Sequence, residues 1–398
     1  MSRETPQIAI PAVYMRGGTS RAIIFHAADL PADSNARDAV FLAALGSPDP
    51  NRRQLDGLGG AMSSLSKIAI VGPPSRPDAD VDYTFGQVAI DAPLVQYKAN
   101  CGNISSAIGP FAIDEGLVSA TGDTATVRIH NTNTGKIIVA RFAVTNGMAA
   151  VDGDFELQGV AGRGAPIRLS FLEPGGAATG QLLPTGNPRD ELEVAGLGRV
   201  SVSLIDAANP VVFVAATSLG LRGTELPDEL DRAPGLLACC EALRVAAAVR
   251  MGIASSASEA EARIRNLPLV GILAAPTDAP TLSGDTLPAA SHQIVVRMIS
   301  AGQPHKATPL TGAMCLAIAM RLPGTLAAEL ACLPDDAEAD LVIAHPSGLL
   351  PVAAKLRLEP SPHAQEAVVY RTARRLMQGS VLVPRRALEI SANLSTTS

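Results

Sequence analysis

The chain has 398 residues, 47% hydrophobic and 18% charged, with a formal net charge of −6. That length points to two domains with substantial cores, and no run approaches the ~20 consecutive apolar residues of a membrane span. An acidic balance without a long Lys/Arg block leaves no electrostatic footprint for nucleic acid or an anionic membrane, so cations for a small anionic substrate must be gathered locally.

The opening MSRETPQIAIPAVYM carries charge at once and has no sustained apolar h-region, so it does not read as a secretory signal and the expected location is the cytoplasm. Five cysteines, with Cys239 and Cys240 adjacent in LLACCEALRVAAAVR, make neither a disulfide framework nor a zinc ribbon and read as reduced thiols. Six histidines without an HExxH or other paired spacing give no metal signature.

In chain order, a strand is expected at 8–10 and another at 22–25, separated by YMRGGTSR, a glycine turn with two hydroxyls and two guanidinium groups. Such a turn suits carboxylate recognition, and equally a capped surface turn. A helix over 38–45 precedes GLGGAMSSLSKIAIVG, in which three serines lead to Lys67 at the head of a strand over 67–71. Desolvation there would bring the amine toward a useful general base, although a strand-edge lysine also simply reaches solvent. The glycines match neither GxxxxGK[ST] nor GxGxxG, so no nucleotide is inferred.

After a strand over 81–90 comes NCGNISSAIGPFAIDEGLV, with Cys101 ahead of a helix over 105–115. Amide groups at a helix start lower a thiol's pKa, so Cys101 could exchange a proton near neutrality, or merely pack at a tight turn. Strands at 127–129 and 137–144 lead to the polar TGNPRDEL (185–192), the expected boundary. Strands at 200–205, 211–215, 294–298 and 341–344, with helices over 235–251 and 311–320, complete an α+β pattern without a steady βαβ rhythm. The helices near Cys101 and Cys315 both begin in Gly/Ser/Thr-rich sequence, a hint of duplication. Three further pieces combine cations or histidine with glycine or hydroxyls: GQPHKATPLTGAMC with His305 and Lys306, AHPSG, and RTARR. The GxSxG elbow of serine hydrolases is absent.

MRGGTSR, SSLSK, NCGNISSAIGPFAI, LLPTGNPRD, AHPSG and RTARRLMQG, in this order, resemble the PrpF family of 2-methylaconitate cis-trans isomerases, 3-methylitaconate Δ-isomerases and 4-oxalomesaconate tautomerases. The resemblance implies a diaminopimelate epimerase-like fold: two similar domains, each a curved mixed sheet around a central helix, with the active site in the interdomain cleft. The expected domains are 1–188, carrying Lys67 and Cys101, and 189–398, carrying Cys315, with the final strand returning to the first. The family's proton-transfer pair falls on Lys67 and Cys101, with no cofactor and no metal. Arg21 stands where the family often has lysine, which suits carboxylate binding better than proton transfer.

The expected activity is isomerisation of a small unsaturated di- or tricarboxylate by allylic proton transfer. Its substrate would be held by Arg16, Gly18, Thr19, Ser20, Arg21, Ser64, Ser66, Asn100, Gly102, Asn103, Arg297, His305, Lys306, Thr311, Gly312, Ser347 and Arg371. Two alternatives remain at this point: a two-base epimerase or racemase, with Cys315 as the second thiol, or a noncatalytic accessory of an aconitase-like dehydratase. The partner is a small anionic polycarboxylate, with neither nucleic acid nor membrane, and a homodimer is left open.

Overall fold

The computed structural model describes residues 5–97 and 101–387. Its chain groups into two compact units, Met1–Leu169 with Arg371–Ser398, and Ser170–Tyr370. The division thus falls at 169/170 and not at 188/189. Residues just after 169 belong with the second unit because Glu173 N–H donates to Gln365, Gly175 bridges Ala207, and Gly176 N–H donates to Asp206.

In the first unit, β1 (Gln7–Gly17) and β2 (Ser20–His26) form an antiparallel hairpin. The turn between them needs Gly18, whose φ is +54°. The segment read from sequence as a long glycine turn is therefore mostly strand. Helix α1 (Ser34–Leu45) starts where Asp33 accepts from Ala36 N–H at 2.8 Å and stops at left-handed Gly46. It returns the chain to β3 (Lys67–Gly72), parallel to β2, and β4 (Val81–Val88) runs back antiparallel to β3. Helix α2 (Gly102–Asp114) follows, then the hairpin Thr124–Asn131 and Lys136–Thr145, whose first strand lies parallel to β4. The C-terminal strand Ala373–Pro384 pairs antiparallel with β1 along its whole length.

Alternation gives this sheet two faces. Ile23, Phe25, Ile68 and Ile70 pack with Val40, Phe41, Ala44 and Leu45 of α1 on the outer face. Helix α2, buried from Ile104 to Ile113, fills the inner face. Close approach explains two glycines there. A Cβ at Gly17 would lie 2.6 Å from the Asn103 carbonyl oxygen, and one at Gly109 would lie 2.7 Å from the Phe142 ring.

The second unit repeats the same sequence of pairings. Gly198–Ala207 and Asn209–Ala215 are antiparallel, Leu269–Ala274 joins in parallel, and Ile294–Ser300 is antiparallel to it. Leu341–His345 then joins in parallel and Gly348–Arg357 closes the series antiparallel. Its central helix, Leu310–Arg321, is buried from Gly312 to Met320, as α2 is in its own unit. Among the described residues, no helix is long and apolar enough to cross a membrane.

Candidate active site

Lys67 is aimed by the residues just ahead of it. Ser66 is fully buried: its hydroxyl donates to the Val88 carbonyl at 2.9 Å and accepts from Gln54 Nε2 at 2.8 Å. Gln54, itself buried, also accepts from Ala61 N–H, while Gln87 Nε2 donates to the Ser63 and Ser66 carbonyls. Ser66 was expected to touch substrate; its hydroxyl is instead spent on fixing the loop that delivers Lys67. Ser66→Ala should therefore cost about 1–3 kcal/mol of stability by removing one of the two acceptors of buried Gln54 Nε2, which keeps its bond to Ser47 Oγ, together with the bond to the Val88 carbonyl, read as a lower urea midpoint. Ser64 lies half-buried in the single helical turn Ser63–Leu65.

Cys101 is the N-cap of α2, with its carbonyl accepting from Ser105 N–H and Ser105 Oγ at 2.9 and 3.0 Å. Among the described residues no side chain caps the helix start, and amides at a helix start are donors suited to an anion. Lys67 Nζ lies 3.2 Å from Cys101 Sγ and 5.3 Å from the centre of the Phe85 ring. An ammonium over an aromatic face is attracted by the ring. Phe85 is 2% exposed, and Asn133 clamps its backbone: Oδ1 accepts from Phe85 N–H, and Nδ2 donates to the carbonyls of Phe85 and Tyr97. Asn100 lies outside the described residues.

Arg371 closes the inner-face group. It is buried, its Nε donates to Asn103 Oδ1 at 3.1 Å, and burial lowers its guanidinium to about 10 against the pull of nearby Cys101. It remains a cation at neutral pH. Asn103 Nδ2 also donates to Thr19 Oγ1 at 3.2 Å, and Gly18 presses against the Asn103 side chain. The Gly18–Thr19 turn is thus joined to the start of α2, where Gly102 sits half-exposed and Ser20 is buried.

Strand register separates the other expected cations from this group. Arg21 and Arg374 both lie directly opposite Arg16, on the two strands flanking β1. Directly opposed residues share a face. That face is the outer one: Arg21 stacks on Tyr14, whose hydroxyl donates to Leu58, whereas Arg375, one residue along, bonds Glu115 at the end of α2. Arg16 donates Nη1 to the carbonyls of Gly18 and Thr372, and burial and the charge of Arg374 lower its pKa. Arg16 and Arg21 therefore stand across the sheet from Lys67 and Cys101, contrary to expectation. Reading MRGGTSR as a loop hid this, because alternation applies only to strands.

In the second unit, Arg297 is 1% exposed, and its guanidinium donates to the carbonyls of Glu225, Val296 and Thr224. It holds a loop, which corrects its assignment to substrate. His305 is half-buried, and burial lowers its pKa, which favours the neutral ring over a carboxylate-binding cation. Lys306 is exposed, and its carbonyl accepts from Ser347 Oγ at 2.6 Å. Thr311 and Gly312 open the helix Leu310–Arg321, with Gly312 packed near Leu269 and Met298. Cys315 lies mid-helix and fully buried; its thiol donates to the Ile205 carbonyl, and burial pushes its pKa up. The helix start itself is Pro309, and the strand equivalent to β3 opens on Leu269. Nothing there reproduces the Lys67–Cys101 pair.

Comparison with known proteins accounts for nearly the whole chain. The sequence profile of the PrpF protein family matches residues 7–384. A 3-methylitaconate isomerase of Eubacterium barkeri is 42% identical over 96% of this chain and 99% of its own length. A 2-methyl-aconitate isomerase of Shewanella oneidensis is 41% identical over 96% of this chain and 98% of its own. The crystal structure of a methylitaconate-delta-isomerase superposes with a TM-score of 0.92 at 42% identity, covering 96% of this chain and 98% of the other. With that superposition the α+β fold of the methylitaconate-delta-isomerase is that of the present chain, and the chain is a PrpF-family isomerase.

Proposed function

We propose that this isomerase acts on a small unsaturated di- or tricarboxylate of the methylitaconate or methylaconitate type, moving one proton between the ends of an allylic system without a cofactor. The observation that carries the reading is the 3.2 Å contact between Lys67 Nζ and Cys101 Sγ at the start of α2. One of the two removes a proton from carbon adjacent to the unsaturated carboxylate, and the other returns a proton at the far end of the three-carbon unit. The electron pair left behind spreads onto carboxylate oxygen. Arg371, Asn103 and the first amides of α2 supply donors for that charge.

The two-thiol epimerase alternative needs a second accessible cysteine. Cys315, buried and held protonated, is unsuited to that part. A proton NMR screen in deuterated water tests the proposal: aconitates, methylaconitates, methylitaconate and oxalomesaconate are incubated with purified enzyme alone. The expected result is isomerisation of at least one, with deuterium entering an allylic position. Exchange of an α-proton with no change in the double bond, or no turnover of any of them, would sink it.

A further inference from the structure

The backbone of Phe85 is fixed from both edges of β4, one of them by a side chain in place of a strand. On that edge the strand Thr124–Asn131 pairs with β4 only as far as Tyr83, and the short strand Val95–Gln96 takes over at Gln87. Phe85 lies in the gap. Asn133, in the turn that follows Asn131, reaches into it: Oδ1 accepts from Phe85 N–H at 2.7 Å, and Nδ2 donates to the Phe85 carbonyl at 2.9 Å and to the Tyr97 carbonyl at 2.6 Å. On the other edge Phe85 stands opposite Ala69 of β3, two residues along from Lys67. The ring and the lysine therefore share the inner face as diagonal neighbours.

Among the described residues no carboxylate pairs with Lys67. Its nitrogen meets the Cys101 sulfur at 3.2 Å and stands over the Phe85 ring, 5.3 Å from its centre. We propose that Phe85 is a positioning residue, whose ring face holds the Lys67 ammonium against Cys101 while the lysine carries the proton. An aromatic face attracts a cation through its quadrupole but is no base. It holds the charge without taking the proton, whereas a carboxylate in its place would compete as an acceptor. Asn133 keeps the ring where that hold is exerted. This rests on the Lys67–Cys101 reading above.

Replacing Phe85 with trifluorophenylalanine tests the hold, because fluorine withdraws charge from the ring face while nearly keeping the ring's size. The expected result is a fall in kcat of about three- to tenfold with KM unchanged and a melting temperature close to that of wild type. Phe85→Leu, which removes the face altogether, should lower kcat further, about tenfold or more. Acetic anhydride labelling of Lys67 at neutral pH without substrate, read by mass spectrometry against the other lysines of the chain, should quicken about threefold in the fluorinated protein, since a weaker hold on the ammonium favours the reactive amine. Unchanged kcat or unchanged labelling of Lys67 in that protein, whatever the leucine variant does, overturns the proposal and leaves Phe85 as packing. Faster labelling there, with a wild type that turns over none of the carboxylates, would support the hold on Lys67 while rejecting the proposed reaction.

Discussion

Lys67→Arg should be as inactive as Lys67→Met, with kcat reduced about 10²- to 10⁴-fold in both. The two substitutions ask different questions of the same 3.2 Å contact. Methionine keeps the bulk of the stem and deletes the amine. Arginine keeps the positive charge over the Phe85 face, but a group with a pKa above about 12 cannot take up and release a proton at neutral pH. If Lys67 only attracted a polyanion, arginine would restore much of the activity that methionine loses. Steady-state kinetics of both variants, paired with deuterium incorporation by NMR, check this. Activity in the arginine variant near the wild-type level would remove Lys67 from proton transfer.

Cys101→Ser should lower turnover by about a hundredfold or more while leaving the fold in place. Serine is close to cysteine in size, and the bonds that anchor Cys101 are made by its backbone carbonyl with Ser105, not by its sulfur. The helix start therefore survives the change. What goes is an acidic proton 3.2 Å from the lysine nitrogen. Circular dichroism and a thermal melt like those of wild type, beside collapsed kcat, are the expected pair of results; preserved kcat would take Cys101 out of the mechanism.

Much of this site could be read from the chain because the two groups proposed to react each sit at an element boundary. NCGN announced a helix start, and SSLSK announced a strand start, which are local events with local signals. The errors came from residues whose meaning depends on partners far away in sequence. Arg297 looked like a free cation because the carbonyls it serves, on Thr224 and Glu225, are supplied by a distant loop. Arg16 and Arg21 were misplaced because a turn was read where β1 and β2 continue, and alternation then puts them on the α1 side. Phe85 and Asn133 carried no signal at all: an aromatic residue in a strand or an asparagine in a turn is ordinary until register and clamping place it beside the lysine.

The repeated order of pairings in the second unit gives the molecule an internal control. The same succession of antiparallel and parallel strands surrounds the same kind of buried helix, but leucine opens the strand equivalent to β3 and proline caps the helix. This architecture folds without lysine at the one place or cysteine at the other. The chemistry proposed for the first unit is an addition to a scaffold that does not depend on it, so the scaffold has two positions, a strand head and a helix cap, at which new reactive groups can be installed without redesigning the core.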